Sequence, residues 1–510
     1  MKSQIKAGIL ISYGTLLLNN IIPLIYTPII LRLLGQAEYG VYGVSQSIMN
    51  YMYLLNIGLG GTIVRYLSKY RASGEREKEE QVAGMFFQIY CIIALVILVV
   101  GVVVSANIQY YDNAMSAEEL STLQRLVFLS TINMAFFLPL NVMGSILVAH
   151  EEFIVNKGVA LITTIVTPFL NLLFLFSGTG SIGFILTNIL TNAFGYIIYT
   201  AYAFRIIGIH PHFAKPDWPL LREIFQFTAF VFLGRLVDAM FWSTDSVIIG
   251  WSIGSTAVAV YQIGMVFRGH VASFASAISN IFIPKLTAMS TEHMPDSVFS
   301  EFFIRIGRIQ FIIVSFIISA FVAFGRQFIS LWAGPGYEDA YYVAIFTMIP
   351  GMIGIIQTSG VDILYARNKH RFRAIVYFII ALLNVGLTSV WVKDYGIIGA
   401  TAATCFSLVL GDGFFLNWYY WRKLHLDISL FWKTILEMSP LMFVMGYASY
   451  IVIDYCPFKN WIAFLTYAII FTVSYGCLAY VFMMNQYERE LLKKPLRRIK
   501  NTIMRNKVVR

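Results

Sequence analysis

The stretch LGRLVDAMFWSTDSVIIG, residues 233–250, decides the fold, because it is apolar enough to lie in a membrane and yet carries Arg235, Asp238 and Asp245. An ionised side chain at the centre of a membrane helix costs at least about 2.5–3.5 kcal/mol. Such residues face the interior of a helix bundle or a water-filled cavity rather than lipid. The stretch therefore predicts a membrane helix with one functional polar face.

The composition of the whole chain agrees with a membrane protein. Of 510 residues 58% are hydrophobic and only 13% are charged, whereas soluble proteins carry about a quarter charged residues. The four cysteines, at 91, 405, 456 and 477, form no CxxC motif, so we expect no zinc site, no disulfide framework and no cofactor. The basic N-terminus leads into a long apolar run without a cleavage site, which predicts a retained first helix rather than a signal peptide.

Long apolar segments recur along the chain, and about 20 such residues cross a bilayer. They predict an all-α polytopic membrane protein with about fourteen transmembrane helices. The predicted spans are 9–31, 41–64, 82–105, 126–149, 158–177, 181–204, 225–250, 256–284, 309–332, 341–366, 374–392, 396–420, 434–453 and 461–484.

The positions of Lys and Arg predict the orientation. If the N-terminus is cytoplasmic, 30 of the 37 basic residues lie in cytoplasmic segments and 5 in outside loops. This bias places both termini in the cytoplasm. The basic tail, 485–510, is then expected to contact anionic lipid headgroups rather than nucleic acid.

Three pairs of segments repeat at a nearly constant offset. LGQAEYGVY (34–42) resembles IGSTAVAVY (253–261), ILVAHEEF (146–153) resembles ILYARNKHRF (363–372), and TGSIGFILTN (179–188) resembles KDYGIIGATAA (393–403). Both copies start on the same side, so the repeat is parallel, and such repeats place the substrate path at their interface. The predicted domains are a six-helix lobe at 1–204, a second at 225–420, two additional helices at 434–484 and the tail at 485–510.

The charged helix has a defined geometry if it is unbroken. At about 100° per residue, Arg235, Asp238, Trp242 and Asp245 share one narrow face. Arg235 and Asp238 can pair at i and i+3, whereas Asp245 needs a partner on another helix. The face either lines a substrate or ion path or holds helices together through a structural ion pair. We favour the path, because other helices are also polar.

Spans 1, 2 and 8 carry further polar side chains at membrane depth. Span 2 places Gln46, Asn50 and Tyr53 along one stripe, span 8 has Arg268 near its middle, and Asn20 lies in span 1 beside two prolines that predict a bend. For any single Asn, Gln or Tyr, hydrogen bonding between helices is the alternative. The candidate substrate-binding residues are Arg235, Arg268, Asp238, Asp245, Trp242, Asn50, Gln46, Tyr53 and Asn20, with no catalytic or metal-binding residue.

Two segments carry a family resemblance. LRLLGQAEYGVYGVSQSIMNYMYLLNIGLGGTIVRYLSKYRASGE (31–75) and TDSVIIGWSIGSTAVAVYQIG (244–264) resemble bacterial polysaccharide flippases of the O-antigen type. These belong to the multidrug/oligosaccharidyl-lipid/polysaccharide exporter superfamily, with the multidrug extruders and the lipid II flippases. Arg268 matches a cavity arginine of the lipid II flippases. Their charged first span is not matched here, which favours the O-antigen branch.

The resemblance implies a function in the bacterial cytoplasmic (inner) membrane. It implies that undecaprenyl-pyrophosphate-linked oligosaccharide moves from the cytoplasmic to the outer leaflet by alternating access, for lipopolysaccharide or other surface polysaccharide synthesis. The cavity would be lined by spans 1, 2, 7 and 8. Arginine suits a pyrophosphate because it forms bidentate, charge-assisted hydrogen bonds. An aspartate that binds Na⁺ or H⁺ would couple the cycle to an ion gradient, and polysaccharide polymerase machinery is a candidate partner.

Two other functions are weighed against the flippase. A multidrug or cation antiporter of the same superfamily needs an acidic, aromatic cavity, and two arginines within spans count against it. A membrane-embedded polysaccharide-assembly enzyme needs a catalytic loop or domain, whereas the longest outside loop is short and no phosphate-cradling, HExxH or nucleophile-elbow motif occurs. We therefore favour a non-enzymatic transporter of lipid-linked sugars.

Overall fold

In the computed structural model the chain is helical without strands over the residues it describes, which are 2–56, 59–110, 114–213, 218–292, 294–367, 369, 371–458, 460–491 and 493. The all-α fold class is thus confirmed. The helices are α1 (Lys2–Leu34), α2 (Gln36–Tyr53), α3 (Leu59–Ser73), α4 (Arg76–Ala106), α5 (Ala117–Phe137), α6 (Asn141–Ala149), α7 (Phe153–Phe176), α8 (Ile182–Tyr202), α9 (Trp218–Trp242), α10 (Thr244–Ser252), α11 (Ser255–Thr291), α12 (Asp296–Trp332), α13 (Ala340–Ile356), α14 (Thr358–Ala366), α15 (Arg371–Leu408), α16 (Asn417–Leu424), α17 (Ile428–Tyr455) and α18 (Trp461–Leu478).

The helices account for the fourteen predicted spans. Among the described residues, ten helical segments are long and apolar enough to cross a membrane. One of them, Arg371–Leu424, has 54 residues and contains the non-helical Gly396, so it is two spans. The bent α11 and the more polar pairs α2–α3 and α9–α10 supply the other three. The last two pairs include the helices that the sequence singles out for their polar side chains.

Several spans are broken rather than continuous. A short 3₁₀ turn, Leu54–Asn56, follows α2, and another, Leu138–Leu140, separates α5 from α6. Span 7 is interrupted at Ser243, where α9 ends and α10 begins. The helix predicted over 225–250 is therefore divided into α9 and α10.

The described chain divides into two compact units. The first contains Met1–Gln262 and Tyr377–Ala403, and the second contains Ile263–Val376 and Thr404–Arg510. In the first, buried side chains from α2 to α6 form a continuous apolar core that includes Ile63, Phe86 and Ile146. In the second, α12 packs along α17, and the Ser319 hydroxyl donates a 3.0 Å hydrogen bond to the Met442 carbonyl. The six-helix lobes remain a prediction, and most of the tail, 492 and 494–510, lies outside the described residues.

The backbone has a positive φ angle at two pairs of glycines that the sequence repeat aligns. Gly35 (φ 77°) and Gly254 (φ 116°) each precede a helix, and Gly180 (φ 58°) and Gly396 (φ 60°) occupy equivalent places in the third pair of segments. Left-handed backbone is costly for residues with a Cβ, which explains glycine at each of the four positions. This agreement supports the duplication.

Candidate functional site

The break at Ser243 brings Asp245 into a buried polar site in the first unit. Asp245 lies in the first turn of α10, where the helix dipole favours a negative charge. Its side chain is fully buried, and it accepts hydrogen bonds from the Tyr261 hydroxyl at 2.7 Å and the Thr388 hydroxyl at 3.1 Å. Asp245 therefore has the partners on other helices that the sequence required.

The same break is tied to α2 by polar contacts. The Asn50 amide donates to the Ser243 hydroxyl at 3.2 Å. The Tyr51 hydroxyl donates to the Ala239 carbonyl at 3.4 Å and also hydrogen-bonds to Thr244. Because Asn50 and Tyr51 are nearly 200 residues from their partners in sequence, these bonds fix where α9 ends relative to α2.

Arg235 and Asp238 lie one helical turn apart on α9 and form the predicted ion pair. The closest nitrogen and oxygen atoms are 4.0 Å apart, and the side chains are 62% and 57% exposed. An exposed pair of this separation is weak, so another ligand can replace it at the Arg235 guanidinium. Trp242 is half-buried at the end of α9, with its ring centroid 5.9 Å from that of Phe241.

The four residues of span 7 that the sequence predicts on one face differ in exposure. Arg235 and Asp238 are exposed, whereas Asp245 is enclosed. α9 ends at Trp242 and α10 begins at Thr244, with Ser243 between them. The structure therefore separates an exposed charged pair from a buried carboxylate.

The polar stripe of α2 lies on the less buried side of that helix. Gln46 is half-buried, and Asn50 and Tyr53 are exposed, while Val44 on the opposite side is buried. Asn50, exposed yet bonded to Ser243, connects this stripe to the break between α9 and α10.

Asn20 and Arg268 lie elsewhere. The Asn20 amide donates to the Leu16 carbonyl of its own helix at 2.8 Å. Its neighbour Asn19 lines a polar cavity of about 380 Å³ among α1, α7 and α8. Arg268 belongs to the second unit, where it is half-buried on α11 beside Gly351 of α13.

Sequence reasoning missed Thr388 as a partner of Asp245. Thr388 and Asn384 lie four residues apart on α15 and are both fully buried. Two polar residues on one face of an apolar helix are the signal that would have drawn attention to Thr388. Nothing in the sequence, however, connects that helix to Asp245, 143 residues away.

Comparisons with solved structures first identify the class of fold. A structure titled "Lipid II flippase MurJ, inward closed conformation" matches with a TM-score of 0.72 at 15% identity, covering 95% of this chain and 99% of that one. An inward-facing multidrug resistance MATE family transporter of the MOP superfamily matches with a TM-score of 0.61 at 14% identity, covering 81% and 96%. The chain shares the fold of these two structures.

The sequence comparisons then identify the family. Residues 5–290, more than half of the chain, match the family described as "Polysaccharide biosynthesis protein". The "Uncharacterized membrane protein EpsK" of Bacillus subtilis (strain 168) is 20% identical over 504 residues, covering 94% of this chain and 95% of that protein. The chain belongs to the polysaccharide biosynthesis protein family, which confirms the resemblance seen in residues 31–75.

Proposed function

We propose that this protein is a flippase that moves undecaprenyl-pyrophosphate-linked oligosaccharide repeat units from the cytoplasmic to the outer leaflet of a bacterial inner membrane. It works by alternating access, with both termini in the cytoplasm, and supplies surface polysaccharide synthesis of the O-antigen type. The observation that carries the proposal is Arg235, a half-exposed arginine within a membrane-depth helix in a chain of the polysaccharide biosynthesis family.

The headgroup role of Arg235 follows from the chemistry of its ion pair. A guanidinium binds pyrophosphate oxygens through two parallel hydrogen bonds. The 4.0 Å contact with Asp238 compensates its charge in the absence of substrate and is weak enough to be replaced. Arg268, in the second unit, is the other arginine proposed to contact the headgroup.

The neutral residues suit the oligosaccharide. Trp242 and Tyr53 offer aromatic faces, while Asn50 and Gln46 offer amide donors and acceptors for hydroxyl groups. All four lie in the first unit with Arg235. The lipid tail remains in the bilayer, so the protein needs to shield only the polar part of the substrate.

Asp245 is the residue we propose for ion coupling. Its carboxylate is fully buried and contacts two hydroxyl groups, and a carboxylate with hydroxyl oxygens suits either H⁺ or Na⁺. Removal of the Na⁺ gradient, and separately of the pH gradient, from vesicles tests this role. Removal of one of the two gradients should slow transport by wild type. The same removal should leave transport by Asp245→Asn unchanged.

The distribution of lipid-linked oligosaccharide between the two leaflets tests the flippase proposal. We would measure it in vesicles that contain wild type, Arg235→Ala, Arg268→Ala, or Arg326→Ala as a matched control at an exposed arginine of α12. Wild type and Arg326→Ala should move labelled substrate to the far leaflet, and the other two variants should be slowed about 10-fold or more, as for loss of a charge-assisted contact.

The opposite result favours the multidrug antiporter. If substrate sidedness does not depend on the protein, while efflux of a cationic dye does, the flippase proposal fails. The Arg235→Lys variant adds a further check, because it keeps the charge but loses the bidentate geometry. It should be slower than wild type if a pyrophosphate is bound.

A further inference from the structure

A second polar cavity lies in the first unit, among α3, α4, α6, α7 and α8. Its volume is about 370 Å³, within the range of about 300–1,000 Å³ that small-molecule sites occupy. We call it the tyrosine–asparagine cavity after six of its lining residues. These are Tyr90, Tyr196, Tyr199, Asn56, Asn141 and Asn156.

The cavity wall is held in place by hydrogen bonds that use only part of its polar groups. The Tyr196 hydroxyl donates to the Asn141 side-chain oxygen at 2.6 Å, so the amide nitrogen of Asn141 can donate elsewhere. The Tyr199 hydroxyl donates to the Asn156 backbone carbonyl at 3.3 Å, a bond that does not use the Asn156 amide side chain. The wall therefore combines fixed aromatic rings with available amide groups.

Tyr90 points to a polar ligand. Its side chain is 1% exposed, and among the described residues its hydroxyl makes no hydrogen bond, although it lines the cavity. A hydroxyl that lines a cavity can donate to and accept from an occupant of that cavity. The Tyr90 hydroxyl is therefore a group that a polar ligand can bind.

The side chains that line the cavity indicate the chemistry of its occupant. It contains tyrosine rings, three amides, one serine hydroxyl and small or aliphatic groups, and no acidic or basic side chain. A pyrophosphate would find no cationic side chain in this lining, and a cationic drug would find no anionic one. A sugar ring fits, because its C–H face packs on aromatic rings and its hydroxyls both donate to and accept from amides.

The location suits a sugar that is attached to a membrane-surface pyrophosphate. Arg65 and Lys157 each adjoin a cavity-lining residue in sequence, Val64 and Asn156. Both belong to segments that the charge bias places on the cytoplasmic side. The cavity therefore lies near the side of the membrane that the charge bias predicts to be cytoplasmic, where the substrate is loaded.

We propose that the tyrosine–asparagine cavity binds one neutral sugar residue of the lipid-linked oligosaccharide at the cytoplasmic side of the protein. The proposal rests on the proposed function, and it adds a site for the glycan that is distinct from the arginines. The site would select the substrate by its sugar rather than by its lipid or its headgroup.

Equilibrium binding to the full-length protein in nanodiscs tests this site. The probes are tritiated citronellyl pyrophosphate and its glucosyl, galactosyl and N-acetylglucosaminyl esters. The quantity of interest is the affinity gain that a sugar gives over citronellyl pyrophosphate alone. Wild type should show a gain for at least one sugar, and Tyr90→Phe should reduce that gain about 3- to 10-fold, as for one lost hydrogen bond.

Two further variants control the experiment. Tyr110→Phe removes the hydroxyl of an exposed tyrosine outside the cavity and should leave the gain unchanged. Gly144→Leu extends a side chain toward the Tyr199 ring, which lies 3.6 Å from the position of a Cβ at Gly144, and should abolish the gain. Binding of citronellyl pyrophosphate itself should be the same in all variants, which shows that they are folded.

The outcomes separate this inference from the proposed function. If wild type binds every probe with one affinity, or if Tyr90→Phe keeps the whole gain, the cavity does not bind sugar, while headgroup recognition stands. If a variant loses affinity for the sugar-free probe as well, the cavity is structural and the inference fails. If wild type binds none of the probes, the proposed function fails together with the inference.

Discussion

The Tyr261 hydroxyl donates a 2.7 Å hydrogen bond to Oδ2 of Asp245, and both side chains are fully buried. Thr388 donates to the other carboxylate oxygen. The start of α11 and a distant segment of α15 thereby meet at the first turn of α10. The contact makes the break in span 7 a fixed feature of the first unit.

We expect Asp245 to contribute to stability as well as to the proposed coupling. Asp245→Leu leaves two buried hydroxyls without an acceptor, at about 1–3 kcal/mol each, whereas Asp245→Asn keeps an acceptor oxygen and should cost less. Thermal unfolding followed by intrinsic fluorescence measures both. Asp238→Leu is the control, because that carboxylate is exposed and its pairing is worth less than about 1 kcal/mol. Equal unfolding temperatures for Asp238→Leu and Asp245→Leu would contradict this assignment.

Gly40 sets how closely α2 approaches the start of α11. A Cβ at this position would overlap the Ser255 carbonyl, so Gly40→Val must push the helices apart and should lower the unfolding temperature. Gly158→Ala is the control, since no heavy atom lies within 4 Å of its added Cβ. That control should be neutral or stabilising by about 0.5–1 kcal/mol, because alanine favours helix interiors. A tolerated Gly40→Val would mean that the two helices are not held in contact.

Substitution of Gly396 tests whether the left-handed backbone at this repeat position requires glycine. Its φ of 60° makes Gly396→Ala unfavourable by about 1–2 kcal/mol, although the nearest atom to the added Cβ, in Ile253, is 3.9 Å away. Gly386→Ala, in the same α15 and with open space around its Cβ, should not destabilise. Denaturant unfolding of the two variants gives the comparison. The same loss in both would show that the left-handed backbone at Gly396 is not its cause.

Arg308 and Glu488 form a buried two-point ion pair in the second unit. Arg308 Nε and Nη2 lie 2.7 and 2.9 Å from the two oxygens of Glu488. Arg308→Met leaves the Glu488 charge buried and should cost about 3–5 kcal/mol, measured as the change in free energy of unfolding. Adding Glu488→Leu should recover part of that loss. Glu301→Gln, which breaks an exposed pair with Arg305, should cost less than about 1 kcal/mol.

The predicted orientation can be checked at two exposed loop positions. In a chain whose native cysteines are replaced, Ser73→Cys should react only with a membrane-permeant maleimide in intact cells. Ser177→Cys should also react with an impermeant one. The positive-inside bias is the physical reason. The reverse pattern would overturn the cytoplasmic placement of the termini and with it the direction of transport.

The sequence by itself determined the class of fold and the number of spans. A membrane helix must satisfy its own backbone hydrogen bonds and present about 20 apolar residues, and both requirements are local. The Arg235–Asp238 pair was also predictable, because its partners are one helical turn apart. The two pairs of left-handed glycines, at 35 and 254 and at 180 and 396, follow the repeat that the sequence shows.

Only the tertiary structure decided which polar residues share a site. Asp245, just after the break at Ser243, is buried, whereas Arg235 and Asp238 on α9 are exposed. Thr388 and the tyrosine–asparagine cavity were not predicted, because their contacts join residues from separate helices far apart in the chain. The rotation and register of packed helices determine such contacts, and hydropathy along one helix carries no information about the helix that will lie beside it.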